Sequence, residues 1–270
     1  MSSFGNTRNT QQRQAPRYKV PYKTSNPALS ERRFASIEWD ATGECMTLEG
    51  TVNKIGLLLT LCLASALFAW SRIGMTSSGE VYGAGTMLAI GGGGGFIIAL
   101  TTAFVPRWSS VTAPLYAILE GLFIGSISAI FELSYPGIAT QASALTFGVF
   151  IALLVAYKTR MIRVTETFRS AVVIATLGLA LVYLVSLLLR FVTNYYVPLF
   201  EGGIIGIGLS LIVVAIAAAN LLLDFDFIEA VAEEGAPKYM EWYSAFGLMV
   251  TLIWLYIEVL RLLAKLRDSD

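Results

Sequence analysis

The chain has 270 residues, of which 56% are hydrophobic and only 14% are charged. Soluble domains carry about 25% charged residues, so this composition predicts a membrane protein. The formal net charge is zero, which argues against a nucleic-acid partner, because that binding requires a basic surplus to neutralise phosphates.

The polar leader comes first in the chain and occupies residues 1–50. It begins with "MSSFGNTRNTQQRQAPR" and has no apolar core of the kind that a cleaved signal peptide requires. We expect this leader to be mostly disordered, since it is too polar to bury a core. Residues 51–270 are then predicted to form one transmembrane domain.

Seven apolar segments follow the leader, and each approaches the roughly 20 residues needed to cross a bilayer. Because a backbone in lipid must satisfy its own hydrogen bonds, continuous apolar segments predict helices. The fold class is therefore an all-α membrane protein with a seven-transmembrane-helix bundle. The segments cover residues 53–73, 82–105, 112–131, 141–157, 169–192, 203–223 and 240–264.

Lysines and arginines near the segment ends predict the orientation, because cytoplasmic loops carry an excess of them. The side of the leader has nine: Arg32, Arg33, Lys54, Arg107, Lys158, Arg160, Arg163, Arg169 and Lys238. The opposite side has five: Arg72, Arg190, Arg261, Lys265 and Arg267. We therefore expect the N-terminus to be cytoplasmic.

Glycines with close spacing are the next signal. Five consecutive glycines, Gly91 to Gly95, lie in the second segment, and the pairs Gly121/Gly125 and Gly202/Gly206 have small-xxx-small spacing. In lipid this spacing allows close helix packing, which is the favoured interpretation. A hinge or an unwound stretch in the second segment is the alternative, since glycine weakens a helix.

Three carboxylates lie where charge is costly, namely Glu120 in the third segment, Asp224 at the end of the sixth and Glu258 in the seventh. An ionised, unpaired acid at mid-depth costs roughly 2.5–3.5 kcal/mol, so such residues are functional candidates. Asp224 and Asp226 point about 200° apart on a helix, so only one can face the bundle interior. We expect that one to be Asp224.

Several alternatives stay open for the remaining acids. A solvated helix end is the favoured interpretation for Asp226 and Glu229, with Glu233 and Glu234 beyond them. Glu258 has Arg261 three residues later, so an intrahelical ion pair competes with a buried role. Glu120 has no cation within a turn of its own helix, which favours a position facing the bundle.

Catalytic and nucleotide-binding patterns are missing from the sequence. There is no histidine, which removes the commonest metal ligand and the usual general base. Cys45 and Cys62 are too few for a disulfide framework or a Cys-rich metal site. The run "GGGGG" is not followed by Lys-Ser or Lys-Thr, so no Walker-type phosphate loop is present. We expect no enzymatic activity and no cofactor.

Three stretches together resemble the transmembrane Bax inhibitor motif family, in particular its bacterial Bax inhibitor-like membrane proteins. They are "PLYAILEGLFIG", "LDFDFIEAVAEEG" and "LYIEVLRLL", and the resemblance runs from about residue 46 to the end without the leader. It implies a central seventh helix, a bacterial cytoplasmic membrane and a pH-sensitive Ca²⁺ leak. Two acids would control this leak, one on helix six and one on helix seven.

Carried onto this sequence, the helix-six acid is Asp224 and the helix-seven acid is Glu258, with a transient Ca²⁺ between them. Glu replaces the family's Asp in helix seven, and the separation between the two acids is longer than the family pattern. Glu120 is therefore a second candidate partner for either of them. We expect at least two of these three acids to face the bundle interior.

Two functions remain in competition. The first is a passive leak for Ca²⁺ whose carboxylate gate senses protons, since oxygen ligands suit hard cations and protons compete with them. The second is a membrane regulator without a channel, which binds other membrane proteins such as a quality-control protease. For the second, the leader and the loop "EEGAPKYMEW" would matter more than the bundle.

Overall fold

The computed structural model describes residues 44–193 and 203–269. Within these ranges seven helices are long and apolar enough to cross a membrane, so the predicted number of spans and the all-α fold class are confirmed. The helices are α1 Leu48–Ser71, α2 Ala84–Phe104, α3 Ser109–Ser134, α4 Ile138–Lys158, α5 Glu166–Thr193, α6 Ile204–Glu233 and α7 Met240–Asp268.

The turn between α3 and α4 is tighter than the sequence suggests. Glu132, near the end of α3, accepts hydrogen bonds from the backbone N–H groups of Gly137 (2.5 Å) and Ala139 (3.1 Å). Helix N-termini leave such N–H groups without partners, and a carboxylate satisfies them well. This acid allows α4 to begin at Ile138 rather than at the predicted residue 141.

A short hairpin connects α1 to α2. Strand β1 (Gly74–Met75) pairs antiparallel with β2 (Val81–Tyr82), with Gly74 opposite Tyr82. The backbone at Gly79 has φ +85°, which glycine adopts at no steric cost and which closes the turn. The hairpin lies outside the spans, so α2 begins at Ala84 rather than at the predicted residue 82.

Helix α2 contains a wide turn at the glycine run. Its backbone is π-helical over Ala89–Gly93 and α-helical on both sides. Gly91 touches α3 so closely that a Cβ there would lie 2.6 Å from the backbone nitrogen of Phe123. Tight packing is therefore confirmed, and the alternative of a hinge appears as one widened helical turn rather than as an unwound stretch.

Helices α1 and α3 pack through the predicted small-residue pair. A Cβ on Gly121 would lie 2.4 Å from the carbonyl oxygen of Cys62, and one on Gly125 would lie 2.3 Å from that of Ala66. Only hydrogen fits at either position, so the two backbones are in direct contact. The other predicted pair cannot be compared, because Gly202 lies outside the described residues.

Helix α7 is the central helix, as the family resemblance implies. It contacts α1, α3, α4 and α6, and 61% of its apolar stretch is buried. Helix α5 is the opposite case, since only 6% of its apolar stretch is buried. The bundle therefore has a tightly surrounded last helix and one helix that lies almost entirely on the outside.

The end of the leader is attached to the loop between α6 and α7. Cys45 pairs with Pro237 in an antiparallel bridge, and the backbone N–H of Met46 donates to the carbonyl of Ala236 at 2.6 Å. Thr47 then caps α1 by accepting from the backbone N–H of Gly50 at 3.0 Å. Most of the predicted leader, residues 1–43, lies outside the described part of the chain.

Candidate functional site

Asp224 lies inside the bundle, as expected. Its side chain is only 1% exposed, and it lies nine residues before the end of α6 at Glu233, which is about 14 Å along the helix. Helix α6 buries Leu221, Leu222 and Leu223 around it. Asp226, two residues further on, is the more exposed of the two aspartates at 23%, which agrees with the helical geometry.

Glu258 is both buried and paired. Its side chain is 3% exposed and accepts a hydrogen bond from Arg261 Nη1 at 3.1 Å. The Tyr183 hydroxyl of α5 donates to the same carboxylate at 3.0 Å, and the Trp254 indole donates at 3.3 Å. The two interpretations that the sequence left open are thus combined, since the intrahelical ion pair itself lies in a buried position facing α5.

Asp224 and Glu258 do not lie together. Lys265 of α7 donates to the carbonyl of Gly206 (3.2 Å) and to the hydroxyl of Ser210 (2.9 Å) on the antiparallel α6, which fixes the relative level of the two helices. Counting back along both helices from this contact, Met249 is level with Asp224, and Glu258 lies about 14 Å further along α7.

The prediction of a transient Ca²⁺ shared by these two acids gains no support from this alignment of the helices. Ca²⁺ binds its oxygen ligands at about 2.3–2.6 Å, and the levels of Asp224 and Glu258 differ by several times that distance. Among the described residues, no three Cys, Asp or Glu side chains converge to hold a metal ion.

Glu120 faces the interior from α3. It is buried, and the Tyr116 side chain one turn earlier is a neighbour of its carboxylate. A Cβ on Gly95 of α2 would lie 3.1 Å from its Oε2 atom, so the carboxylate lies directly against the glycine run. Cys62 of α1 is a further neighbour. The described contacts of Glu120 thus lead to α1 and α2, and the expected partnership with Asp224 or Glu258 is not among them.

Asp226 and Glu229 form a network between helices and not the solvated helix end that was favoured. Asp226 Oδ2 accepts from Arg169 Nη2 of α5 at 2.6 Å. The Tyr157 hydroxyl of α4 donates to Glu229 and, at 3.4 Å, to Asp226. The arginine is buried, and this explains why the acids turn inward. Glu233 and Glu234 are exposed and are the true solvated end.

Arg169 and Glu241 are buried charged residues that the sequence analysis missed. Arg169 was counted as a flanking charge because it is only three residues into α5. Glu241 is 0% exposed and binds Lys54 of α1 at 2.5 Å and Lys238 at 3.2 Å. It also accepts from the backbone N–H and the hydroxyl of Thr47, each at 2.9 Å. The i,i+3 spacing of Lys238 and Glu241 was the one available signal.

The five acids singled out by the sequence therefore occupy four separate places. Asp226 and Glu229 lie between α4, α5 and α6, Glu258 lies between α5 and α7, and Glu120 lies between α2 and α3. Asp224 is buried on α6 level with the middle of α7. All three primary candidates, Glu120, Asp224 and Glu258, are buried, which confirms the expectation that at least two of them face the interior.

Comparison with known proteins gives one family. The family model described as Bax inhibitor 1 like matches residues 5–268, so the similarity includes the leader that the three motifs left out. No curated protein and no solved structure shows significant similarity to the chain. The extent of the match, together with the seven spans and the central α7, leads to one conclusion: the chain belongs to the Bax inhibitor 1 like family.

Proposed function

We propose that this membrane protein is a pH-sensitive leak for cations, with Ca²⁺ as the favoured ion. The observation that carries the proposal is Asp224, a carboxylate that is 1% exposed within a membrane-spanning helix. An acid at such a depth is costly and typically marks an ion or proton pathway. The polar network of Asp226 and Glu229 near the same end of α6 supports the same interpretation.

The chemistry of the described residues suits a hard cation as cargo. Carboxylate, hydroxyl and amide oxygens are the ligands that Ca²⁺ prefers, and protonation of a carboxylate removes its affinity for the ion. Asp224 is the proposed primary gate residue, with Glu120 and Glu258 as further proton-sensitive acids. No bond-making chemistry is part of the proposal, and the protein is proposed to act without a cofactor.

The proposed setting is a bacterial cytoplasmic membrane with the leader on the cytoplasmic side. Nine lysines and arginines flank the spans on the side of the leader, against five on the other side. Asp224 would then lie closer to the cytoplasmic surface, because the Glu233 end of α6 is on the leader side.

Measurement of Ca²⁺ flux in proteoliposomes across a pH series tests the proposal. We expect wild-type flux to change with pH, and Asp224→Asn to reduce both the flux and its pH dependence. Glu80→Gln is the matched control, since it makes the same change from acid to amide at an exposed residue between β1 and β2. Flux that is independent of pH, or equal in wild type and Asp224→Asn, would overturn the carboxylate gate.

A membrane regulator that binds other membrane proteins is the second candidate, and one observation favours it. The bridge between Cys45 and Pro237 places the end of the leader beside the loop "EEGAPKYMEW", so both would present one surface to a partner. Deletion of residues 1–43 separates the two functions. A leak should survive this deletion, whereas binding of a membrane protein through the leader, measured by cross-linking in native membranes, should be lost.

A further inference from the structure

Helix α5 carries polar side chains in a single row. Arg169, Thr176 and Tyr183 are spaced seven residues apart, which is two helical turns, so they lie on one face over about 21 Å. Large apolar side chains elsewhere along the helix point outward, with Ile174 70% exposed and Leu177 61% exposed. The face with the polar row is therefore the one that meets the bundle.

Each member of this row has a polar partner on α6 or α7. Arg169 binds Asp226 at 2.6 Å, Thr176 accepts from the Asn220 amide at 2.8 Å, and Tyr183 donates to Glu258 at 3.0 Å. We call this set the polar seam, with the following members: Arg169, Thr176 and Tyr183 of α5, Asp226 and Asn220 of α6, and Glu258 and Arg261 of α7.

The polar seam extends towards both ends of the spans. Arg169 lies near the start of α5, on the leader side, and Tyr157 of α4 joins the network there. Towards the opposite end, Arg261 donates to the Tyr183 hydroxyl at 3.1 Å. One turn further along α7, Lys265 donates to Ser210 and Gly206 of α6. Asp224 lies one turn from Asn220 on the same face of α6, so the proposed gate residue borders the seam.

The apolar contacts of α5 are few. Among its described side chains, Val172 is the only apolar one that is fully buried, and only 6% of the apolar stretch of α5 is buried, against 33% for α6. In a bilayer, lipid tails replace apolar protein contacts at little cost, so helix association depends on close packing and polar contacts. The described contacts therefore attach α5 chiefly through the polar seam.

We propose that the polar seam is the route along which water and cations cross, and that α5 is the wall that moves away from α6 and α7 to open it. This inference rests on the proposed leak function and assigns its path. The side chains along the route supply carboxylate, amide and hydroxyl oxygens at successive levels, each of which can replace part of the hydration shell of a cation. Contacts that are polar and local can be exchanged for water one at a time.

Accessibility of single cysteines tests the route. In a Cys45→Ser/Cys62→Ala background, Thr176→Cys places a thiol in the seam, and Leu177→Cys places one next to it on the outward face as the matched control. A charged, membrane-impermeant methanethiosulfonate reacts with thiolate, which forms in water and not in lipid. We therefore expect Thr176→Cys to react at least about tenfold faster than Leu177→Cys under conditions that permit flux. Its modification should also reduce Ca²⁺ flux.

A reversible cross-link tests the movement of α5. Thr176→Cys together with Asn220→Cys, bridged by a short bifunctional thiol reagent with a cleavable disulfide, should stop the flux, and reduction should restore it. The control is Ser128→Cys with Tyr256→Cys, which joins α3 to α7 where the two hydroxyls are 2.6 Å apart. That cross-link should leave the flux unchanged, since it does not involve α5.

The outcomes separate the route from the leak itself. If the wild type conducts Ca²⁺ but Thr176→Cys reacts no faster than Leu177→Cys, or the α5–α6 cross-link leaves the flux intact, the seam is not the route. If the wild type conducts no cation at any pH, the proposed leak function fails. Fast labelling of Thr176→Cys would in that case still show that the seam is open to water.

Discussion

Arg169 of α5 and Asp226 of α6 form a salt bridge of 2.6 Å in which the arginine side chain is only 4% exposed. The same guanidinium binds Glu166 at 2.6 Å on the surface, so Arg169 has one buried and one solvated acidic partner. Two carboxylates thus bind one buried guanidinium. Removal of one acid leaves Arg169 with its other acidic partner, whereas removal of Arg169 leaves both acids without their cation.

The first prediction concerns the stability of this pair. Arg169→Met should destabilise the protein by about 3 kcal/mol, because it leaves the half-buried Asp226 without its cation. Asp226→Asn should cost less, about 1 kcal/mol, because Arg169 keeps Glu166 and the amide can still accept a hydrogen bond. Unfolding in mixed micelles measures both values, with exposed Glu233→Gln as the control. Equal losses for the two variants would contradict this account.

The second prediction concerns opposite effects of the two aspartates on flux. Protonation of Asp226 as the pH falls removes its attraction to Arg169, and Asp226→Asn imitates the protonated state. If this weakens the attachment of α5 by about 1 kcal/mol, the open population and the flux at neutral pH rise about fivefold. Asp224→Asn should instead lower the flux.

Measurement of Ca²⁺ efflux at pH 7 from matched proteoliposomes distinguishes these two effects. The neighbouring acids Glu229 and Glu166 need not be altered, because the comparison is between two substitutions of the same chemical type on one helix. A fall in flux for both variants would show that the Arg169–Asp226 pair does not hold the leak closed.

The third prediction concerns the contact between α1 and α3. Gly125→Ala should destabilise the protein by about 2 kcal/mol or more, since the new Cβ would lie 2.3 Å from the carbonyl of Ala66 and force the helices apart. Gly148→Ala on α4 is the matched control, because nothing lies within 4 Å of its Cβ position. There, better helix propensity should add up to about 1 kcal/mol. Thermal unfolding in detergent should therefore shift in opposite directions.

The fourth prediction concerns Glu241. Its carboxylate is 0% exposed and joins Lys54 of α1 to Lys238 just before α7, so Glu241→Ala should destabilise the protein by about 3–5 kcal/mol. Glu49→Ala is the control, since Glu49 is exposed in the first turn of α1 and should change stability by less than about 1 kcal/mol. A similar effect of both substitutions on unfolding would exclude a clamping role for Glu241.

The number and type of the elements could be predicted from the sequence, since the thickness of the hydrocarbon layer sets a minimum length for each helix. Contacts within one helix could also be predicted, as the Glu258–Arg261 pair shows. The inward position of Asp224 relative to Asp226 followed from helical periodicity alone. These features depend on residues that are close together in the chain.

Contacts between distant segments could not be predicted. Arg169 lies near a helix start, where an arginine is ordinarily solvated, and only its packing against Asp226, 57 residues later, draws it inside. Glu241 likewise begins a helix, where an acid suits the helix dipole in water. Its burial depends on Lys54 and Thr47 of a helix at the other end of the sequence. The level of Glu258 relative to Asp224 also depends on how α6 and α7 align.

The clamp between Lys54 and Glu241 has a consequence for the order of synthesis. The two residues are separated by 187 positions in the chain, so a ribosome that adds 5–20 residues per second needs roughly 10–40 s to produce Glu241 after Lys54. During this interval α1 is already made while its cation lacks the carboxylate that later neutralises it. Until α7 is made, α1 can pack against α3 but cannot form its buried ion pair, so a chain truncated before α7 should leave Lys54 without the carboxylate of Glu241.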